Sequence, residues 1–136
     1  MSYASPLPAA FTTPGRLLWT TVGIVEAPVD EVARLVFEDF EEAPTGGHLH
    51  RDEERRIVIV QGGWWYRGVT SIESHPDGAR VTYRVYNIAR TNRWMVPLVL
   101  LQYRLNGSLA AIRGGEFEGG LARIGERLGA RVRRTE

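Results

Sequence analysis

Cysteine is missing from this 136-residue sequence. Without it the chain has no disulfide bonds, no thiolate nucleophile and no cysteine ligands for a metal, so noncovalent packing must stabilise the fold. Such a chain is typical of a reducing compartment, and we expect a cytoplasmic location. Lysine is missing as well, and all 17 basic residues are arginine.

Long hydrophobic runs are also missing. The longest apolar stretch, Trp94 to Leu101, is interrupted by Pro97 and is much shorter than the ~20 residues that cross a bilayer. The N-terminus lacks a basic start followed by an apolar segment, so no signal peptide is expected. With 43% hydrophobic and 24% charged residues the chain has the composition of a globular protein, and its length predicts one domain with a substantial core.

Charge is distributed unevenly along the chain although the net charge is +1. The segment from Glu26 to Glu54 contains ten acidic residues and two arginines, whereas the segment from Arg55 to Glu136 contains fourteen arginines and six acidic residues. Segments of opposite charge attract each other, and we expect ion pairs between them. The basic segment also suits an anionic partner, but the pattern gives little support to nucleic-acid binding.

The first third of the chain predicts an arm, a strand and a helix. Residues 1–15 are rich in proline and have no hydrophobic period, which predicts an extended arm, and residues 16–136 form the single domain. Arg16 to Glu26 is rich in β-branched and aromatic residues, which predicts the first strand. Pro28 suits the first turn of a helix. One apolar stripe of this helix would be buried, formed by Val32, Leu35, Val36 and Phe40.

From His48 to Ala89 the hydrophobic period changes to two residues, as in β-strands. The run Ile57 to Val60 and the segment Trp64 to Glu73 flank a pair of glycines, which predicts a hairpin. The sequence His75-Pro76-Asp77-Gly78 predicts a tight turn and a second hairpin. In the strand that follows, we expect alternate side chains to face inward, namely Val81, Tyr83, Val85 and Asn87.

Beyond Trp94 the period lengthens to that of helices. Apolar residues at spacings of three and four predict two helical runs, one from Leu98 to Ile112 and one from Phe117 to Val132. Glycine is a poor residue in a helix interior, so we expect a break near Gly114 and Gly115. The predicted order is one strand, one helix, several antiparallel strands and a helical C-terminal part, which is an α+β arrangement.

Two segments of this chain are similar to those of a known family. The segment Val25 to Val32, Val-Glu-Ala-Pro-Val-Asp-Glu-Val, looks like the junction of first strand and first helix in the START-like (SRPBCC) superfamily, also called helix-grip or polyketide cyclase/dehydrase-like. The amphipathic segment Glu118 to Arg133 looks like the closing helix of that family. The resemblance covers most of the chain, although the run Trp94 to Ile112 stands where further strands are usual. It implies a curved antiparallel sheet wrapped around a long C-terminal helix.

The resemblance also implies a cavity between sheet and helix for lipids, polyketides or other apolar compounds. A curved sheet that faces one amphipathic helix leaves space for such a ligand. We therefore expect binding or carriage of a small apolar molecule, and no cofactor. The candidate ligand-binding residues come from the predicted strands and the last helix: Trp64, Tyr66, Tyr83, Val85, Asn87, Phe117, Leu121 and Ile124.

Two other functions fit the same sequence. An aromatase/cyclase or dehydratase of this fold would use Arg67 or Arg84 to polarise a carbonyl group and Tyr83 as a general acid. An interaction module would use the segment Trp94 to Leu101 and the arginine-rich last helix to engage a partner protein or an anionic membrane surface. A homodimer is a further candidate assembly.

A metal site is a weaker hypothesis. His48, His50 and Asp52 alternate along an extended segment, which would place three potential ligands on one side of a strand. Histidines beside a polar turn are usually solvated, and the sequence identifies no groups that would orient these two. We therefore expect no metal here.

Overall fold

The computed structural model describes residues 11–40, 47–62, 64–90, 93–105 and 116–135 of the chain. Its first six elements are β1 (Arg16–Val25), α1 (Val29–Glu38), β2 (His48–Asp52), β3 (Ile57–Gln61), β4 (Tyr66–His75) and β5 (Gly78–Asn87). A short 3-10 turn and three elements follow, namely Arg93–Met95, α2 (Val96–Leu105), α3 (Glu116–Leu128) and β6 (Val132–Arg134).

The six strands of the described residues form one antiparallel sheet in the order β2-β3-β4-β5-β1-β6. This confirms the α+β class with an antiparallel sheet. The hairpin of β4 and β5 has the predicted turn, because His75 pairs with Gly78 across Pro76 and Asp77. Gly78 has a φ of 141°, a conformation that residues with a side chain rarely adopt.

One face of the sheet packs against α1 and α3 and forms the core. Along α1 the side chains of Val32, Leu35 and Val36 are buried, which confirms the main part of the predicted stripe. They belong to the same apolar cluster as Ile72 of β4 and Val81 of β5. Burial of each such aliphatic side chain stabilises the fold by about 1.5–3 kcal/mol.

The C-terminal end of α1 is tied to the edge strand β2. Nη1 of Arg51 donates hydrogen bonds to the carbonyl oxygens of Phe37, at 3.2 Å, and of Phe40, at 3.4 Å. The last carbonyl groups of a helix lack partners within the helix, so a side-chain donor stabilises this end. The contact also positions Phe40 beside the sheet.

Helix α3 ends earlier than its apolar stripe predicts. Gly129 has a φ of 62°, and the Ala130 N–H donates to the carbonyl oxygen of Gly125 at 2.8 Å, as in a Schellman motif. Val132 then pairs with Val25 in β6. The prediction of a long C-terminal helix that reaches Val132 is therefore wrong, and α3 has 13 residues.

Helix α2 confirms a helical conformation for part of the run Trp94 to Ile112. The break expected near Gly114 and Gly115 lies outside the described residues, as does the arm before residue 11. Phe11 is buried, and its ring centroid lies 5.4 Å from that of His50 on the sheet face away from the helices. In the described part of the chain no helix has both the length and the apolar character needed to cross a membrane.

Ion pairs connect the acidic segment to the basic one, as the charge distribution predicts. They lie at the surface, where such pairs contribute at most about 1 kcal/mol each. Three of them join Asp30 to Arg56 at 2.7 Å, Glu38 to Arg127 at 3.1 Å and Glu26 to Arg131 at 3.8 Å.

Candidate functional site

A half-open cavity of about 300 Å³ lies between the core face of the sheet and the helices α1 and α3. Strands β4 and β5 form its floor, the C-terminal end of α1 forms one wall, and α3 forms the other. Most of the lining is apolar, with a few polar groups, as in small-molecule sites. The lining residues are Val36, Asp39, Phe40, Tyr66, Thr70, Val81, Tyr83, Phe117, Gly120, Leu121, Arg123 and Ile124.

Two tyrosines form the polar part of the floor. The hydroxyl groups of Tyr66 on β4 and Tyr83 on β5 are hydrogen-bonded to each other. Gly68 lies below them, because a Cβ atom at this position would be 2.9 Å from Cζ of Tyr66 and 3.0 Å from Cε1 of Tyr83. The missing side chain of Gly68 therefore allows the two rings to approach. Since a phenol hydroxyl both donates and accepts hydrogen bonds, the pair suits a ligand with a carbonyl or hydroxyl group.

Phe117, in the first turn of α3, stacks on the ring of Tyr83. The ring centroids are 6.0 Å apart and the ring planes differ by 11°. This parallel arrangement is favourable for aromatic rings and joins α3 to the floor of the cavity. Gly23 of β1 allows α3 to approach the sheet at this point, because a Cβ atom there would clash with Cδ1 of Leu121.

The apolar walls come from the two helices. Leu121 and Ile124 are three residues apart and therefore share one face of α3, and both are almost fully buried. Val36 and Phe40, four residues apart, form the opposite wall at the end of α1. The amphipathic patterns of both helices thus converge on the cavity.

Charged groups stand at the rim of the cavity. Asp39 follows α1 and Arg123 belongs to α3, and both are exposed. The guanidinium group of Arg123 lies along two glycines, since Cβ atoms at Gly119 and Gly120 would be 3.7 and 3.8 Å from its terminal nitrogens. Gly120 lines the cavity and has no other atom close to its Cβ position, so a larger side chain there would fill part of the cavity.

Sequence reasoning identified part of this site. Five of the eight candidate ligand-binding residues line the cavity, namely Tyr66, Tyr83, Phe117, Leu121 and Ile124. The strand period placed Tyr83 on the inner face, and the helical period placed Phe117, Leu121 and Ile124 on one side of the last helix. Tyr66 was a candidate because it is an aromatic residue with a polar edge. Both periods are local properties of the sequence.

Three candidate residues lie outside the lining. Val85 is fully buried in the sheet beside Gly68 and packs as a core residue. Oδ1 of Asn87 accepts a hydrogen bond from the N–H of Ala89 at 3.0 Å, so this amide oxygen pairs with the backbone just after β5. Trp64 precedes β4 and is half-buried. On β5 the lining ends at Tyr83, and Val85 and Asn87 lie further along the strand.

Other lining residues were missed by sequence reasoning. Val36 and Phe40 were assigned to the buried stripe of α1, and Val81 to the inner face of β5, but none of them was assigned to a ligand site. Thr70 and Arg123 carried no signal beyond their position on a strand and on a helix. A buried stripe predicts that a side chain faces inward. It does not show whether that side chain packs against other residues or lines a cavity.

The two arginines considered for catalysis lie on the opposite face of the sheet. Arg67 and Arg84 alternate along their strands with the lining residues Tyr66 and Tyr83. Nε of Arg67 donates to Oε1 of Gln61 at 2.5 Å, and the residue is 9% exposed. Burial lowers the pKa of Arg67 because the charged guanidinium loses hydration. Neither arginine is positioned to polarise a ligand in the cavity.

The histidines of β2 also lie on that opposite face. The ring of Phe11 contacts His48 and His50, with centroid distances of 6.1 and 5.4 Å. In the described ranges no three histidine, aspartate or glutamate side chains converge in a way that would hold a metal ion. The two histidines thus pack against an aromatic ring.

Comparisons with known proteins add no functional assignment. No protein-family model matches the chain, and no curated protein or solved structure is significantly similar to it. The resemblance to the START-like superfamily therefore stays a prediction from the sequence. The geometry of the cavity carries the functional inference.

Proposed function

We propose that this protein binds a small, mostly apolar molecule in the cavity between the sheet and the helices α1 and α3. The observation that supports the proposal is a half-open space of about 300 Å³ with apolar walls and a hydrogen-bonded tyrosine pair at its floor. In this proposal the fold is a short form of the helix grip, and α3 is the gripped helix.

The volume favours a small ligand. Ligand sites commonly measure about 300–1,000 Å³, so this cavity lies at the lower end of the range. A phospholipid would exceed this volume, whereas a compound of one or two rings fits it. We therefore place ring compounds ahead of long-chain lipids among the candidate ligands.

The lining favours a planar ligand with one polar group. The parallel rings of Tyr83 and Phe117 both line the cavity and supply aromatic surface against which a ligand ring can pack. The hydroxyl groups of Tyr66 and Tyr83 provide a hydrogen-bonding point on the same side. An apolar wall with few convergent polar groups fixes the orientation of a ligand without requiring a charge.

Naphthol is a suitable probe because it combines two fused rings with one hydroxyl group. Binding is measured by isothermal titration calorimetry and by the ligand-induced rise of the unfolding temperature. We expect wild-type protein to bind naphthol and Gly120→Leu to bind it at least about tenfold more weakly, a loss of about 1.4 kcal/mol, because the new side chain fills the cavity.

Gly119→Leu is the matched control. Both glycines lie inside α3, and either substitution should raise helix stability by up to about 1 kcal/mol, but only Gly120 lines the cavity. Equal naphthol affinities of the two variants would contradict the proposed site. Absence of binding and of stabilisation across naphthol, flavonoids and short fatty acids would exclude small-molecule binding here.

A catalytic role of the same site is the second candidate, and the tyrosine pair favours it. A hydroxyl group that donates to a substrate carbonyl stabilises the negative charge that develops on its oxygen during enolisation. Cyclisation or dehydration of a polyketide-like substrate would then slow at least about tenfold in Tyr83→Phe. Equal turnover by wild type, Tyr66→Phe and Tyr83→Phe would exclude this role.

A further inference from the structure

Helix α2 and the turn before it expose a stripe of large apolar side chains. Leu98, Leu101 and Leu105 follow each other at spacings of three and four residues, which places them along one side of α2, and Trp94 lies in the turn before it. Their exposed fractions are 55%, 48%, 79% and 69%, and that of Met95 is 37%. We call these five residues the α2 surface. A contiguous exposed apolar surface marks an interaction site, and this one shares no residue with the cavity.

In the sequence, the charged residues that flank the α2 surface are all positive. Between Gly78 and Gly115 the sequence contains no acidic residue and six arginines. Arg90 and Arg93 precede α2, and Arg104 lies in its last turn. A partner for this segment needs an apolar region to contact the leucines and negatively charged groups to contact the arginines. An anionic lipid bilayer has this combination.

We infer that the α2 surface docks on an anionic membrane surface. The leucines enter the boundary of the acyl chains, Trp94 lies at the level of the headgroups, and Arg104 meets lipid phosphates. Helix α2 lies along the bilayer, because ten helical residues extend over about 15 Å, half of the hydrocarbon thickness. This inference does not depend on a ligand in the cavity.

Two alternatives are less suitable: membrane contact through basic groups of the last helix, and a second copy of the chain as the partner of the α2 surface. Helix α3 contains three glutamates and two arginines, and one of these, Arg127, is paired with Glu38 at 3.1 Å, so the last helix offers a membrane no net positive charge. A second copy could offer the acidic groups of α1 to the arginines that flank α2 in the sequence. Asp30 and Glu38 are already paired with arginines of their own chain.

Vesicle co-sedimentation tests the inference. Full-length protein is mixed with vesicles of phosphatidylglycerol and phosphatidylcholine, and in parallel with vesicles of phosphatidylcholine alone. We expect binding to the anionic vesicles, weaker binding at high salt, and at least about tenfold weaker binding of the double variant Leu98→Gln/Leu101→Gln. Arg104→Gln should weaken binding about fivefold, whereas Arg131→Gln, an exposed arginine outside the acid-free segment, is the matched control.

Circular dichroism and thermal unfolding verify that the variants are folded, which is expected because both leucines are exposed. No binding to anionic vesicles at low salt would overturn the inference, as would equal binding of wild type and the double variant. Dimerisation in analytical ultracentrifugation that the double variant abolishes, together with no vesicle binding, would assign the α2 surface to a second copy.

Discussion

Tyr66 and Tyr83 share a hydrogen bond between their hydroxyl groups although they are not opposite each other in the sheet. Tyr66 pairs with Asn87, Tyr83 pairs with Thr70, and Gly68 lies between the two pairs on β4. The ring of Tyr66 therefore extends along its own strand, across Gly68, to reach Tyr83. One glycine thus determines the shape of the cavity floor.

Gly68→Ala should displace the tyrosine pair. The new Cβ atom would lie 3.0 Å from Cε1 of Tyr83 and would also overlap the hydroxyl group of Tyr66. Overpacking of this kind lowers the free energy of unfolding by about 1–3 kcal/mol, which urea unfolding measures. Gly62→Ala is the control, because its nearest contact would be an ordinary 3.6 Å. Similar effects of the two substitutions would contradict the role of Gly68.

Arg67 should destabilise the folded protein in spite of its hydrogen bond. Within the described part of the chain its buried Nη2 atom has no hydrogen-bond partner. Arg67→Met removes this buried charge, and we expect a gain of about 1–2 kcal/mol in urea unfolding. Gln61→Leu removes an acceptor but leaves the cation buried, so it should cost about 1–3 kcal/mol. Losses of equal size in both variants would refute this interpretation.

Gly129→Ala should destabilise the end of α3 through the backbone alone. Gly129 has a φ of 62°, and no atom lies within 4 Å of its Cβ position, so a side chain meets strain without a clash. The expected loss is about 1 kcal/mol in thermal or urea unfolding, and Gly129→Asn should lose less because asparagine tolerates this conformation. Gly119→Ala, inside the helix, should instead stabilise by up to about 1 kcal/mol. A neutral Gly129→Ala would contradict the assignment of a left-handed cap.

Local signals in the sequence predicted most of the elements. The turn His75-Pro76-Asp77-Gly78 was identified because proline and glycine restrict the backbone over four residues, whatever surrounds them. The start of α1 after Pro28 was identified for the same reason. At the other end of the chain the apolar spacing continued through Gly129 to Val132, and the glycine was the stronger signal. The hydrophobic period predicted a longer helix, but the backbone preference of Gly129 ended α3.

The cavity was less predictable than the elements around it. Alternation along β5 correctly placed Tyr83 and Val85 on the inner face, but Tyr83 lines the cavity and Val85 is packed in the core. The difference depends on which helix lies over each residue. Gly23 and Gly68 allow α3 and the tyrosine rings to approach the sheet closely. These contacts join segments that are distant in the sequence, so a local pattern does not predict them.

Backbone preference and hydrophobic period, which are properties of a few neighbouring residues, were determined by the sequence itself. From these local properties Leu121 and Leu105 look the same, because each belongs to an apolar helical segment. The tertiary structure separates them: Leu121 is 3% exposed because α3 crosses the sheet, and Leu105 is 79% exposed at the end of α2. Burial depends on the surface that meets a helix, and that surface comes from residues far away in the chain.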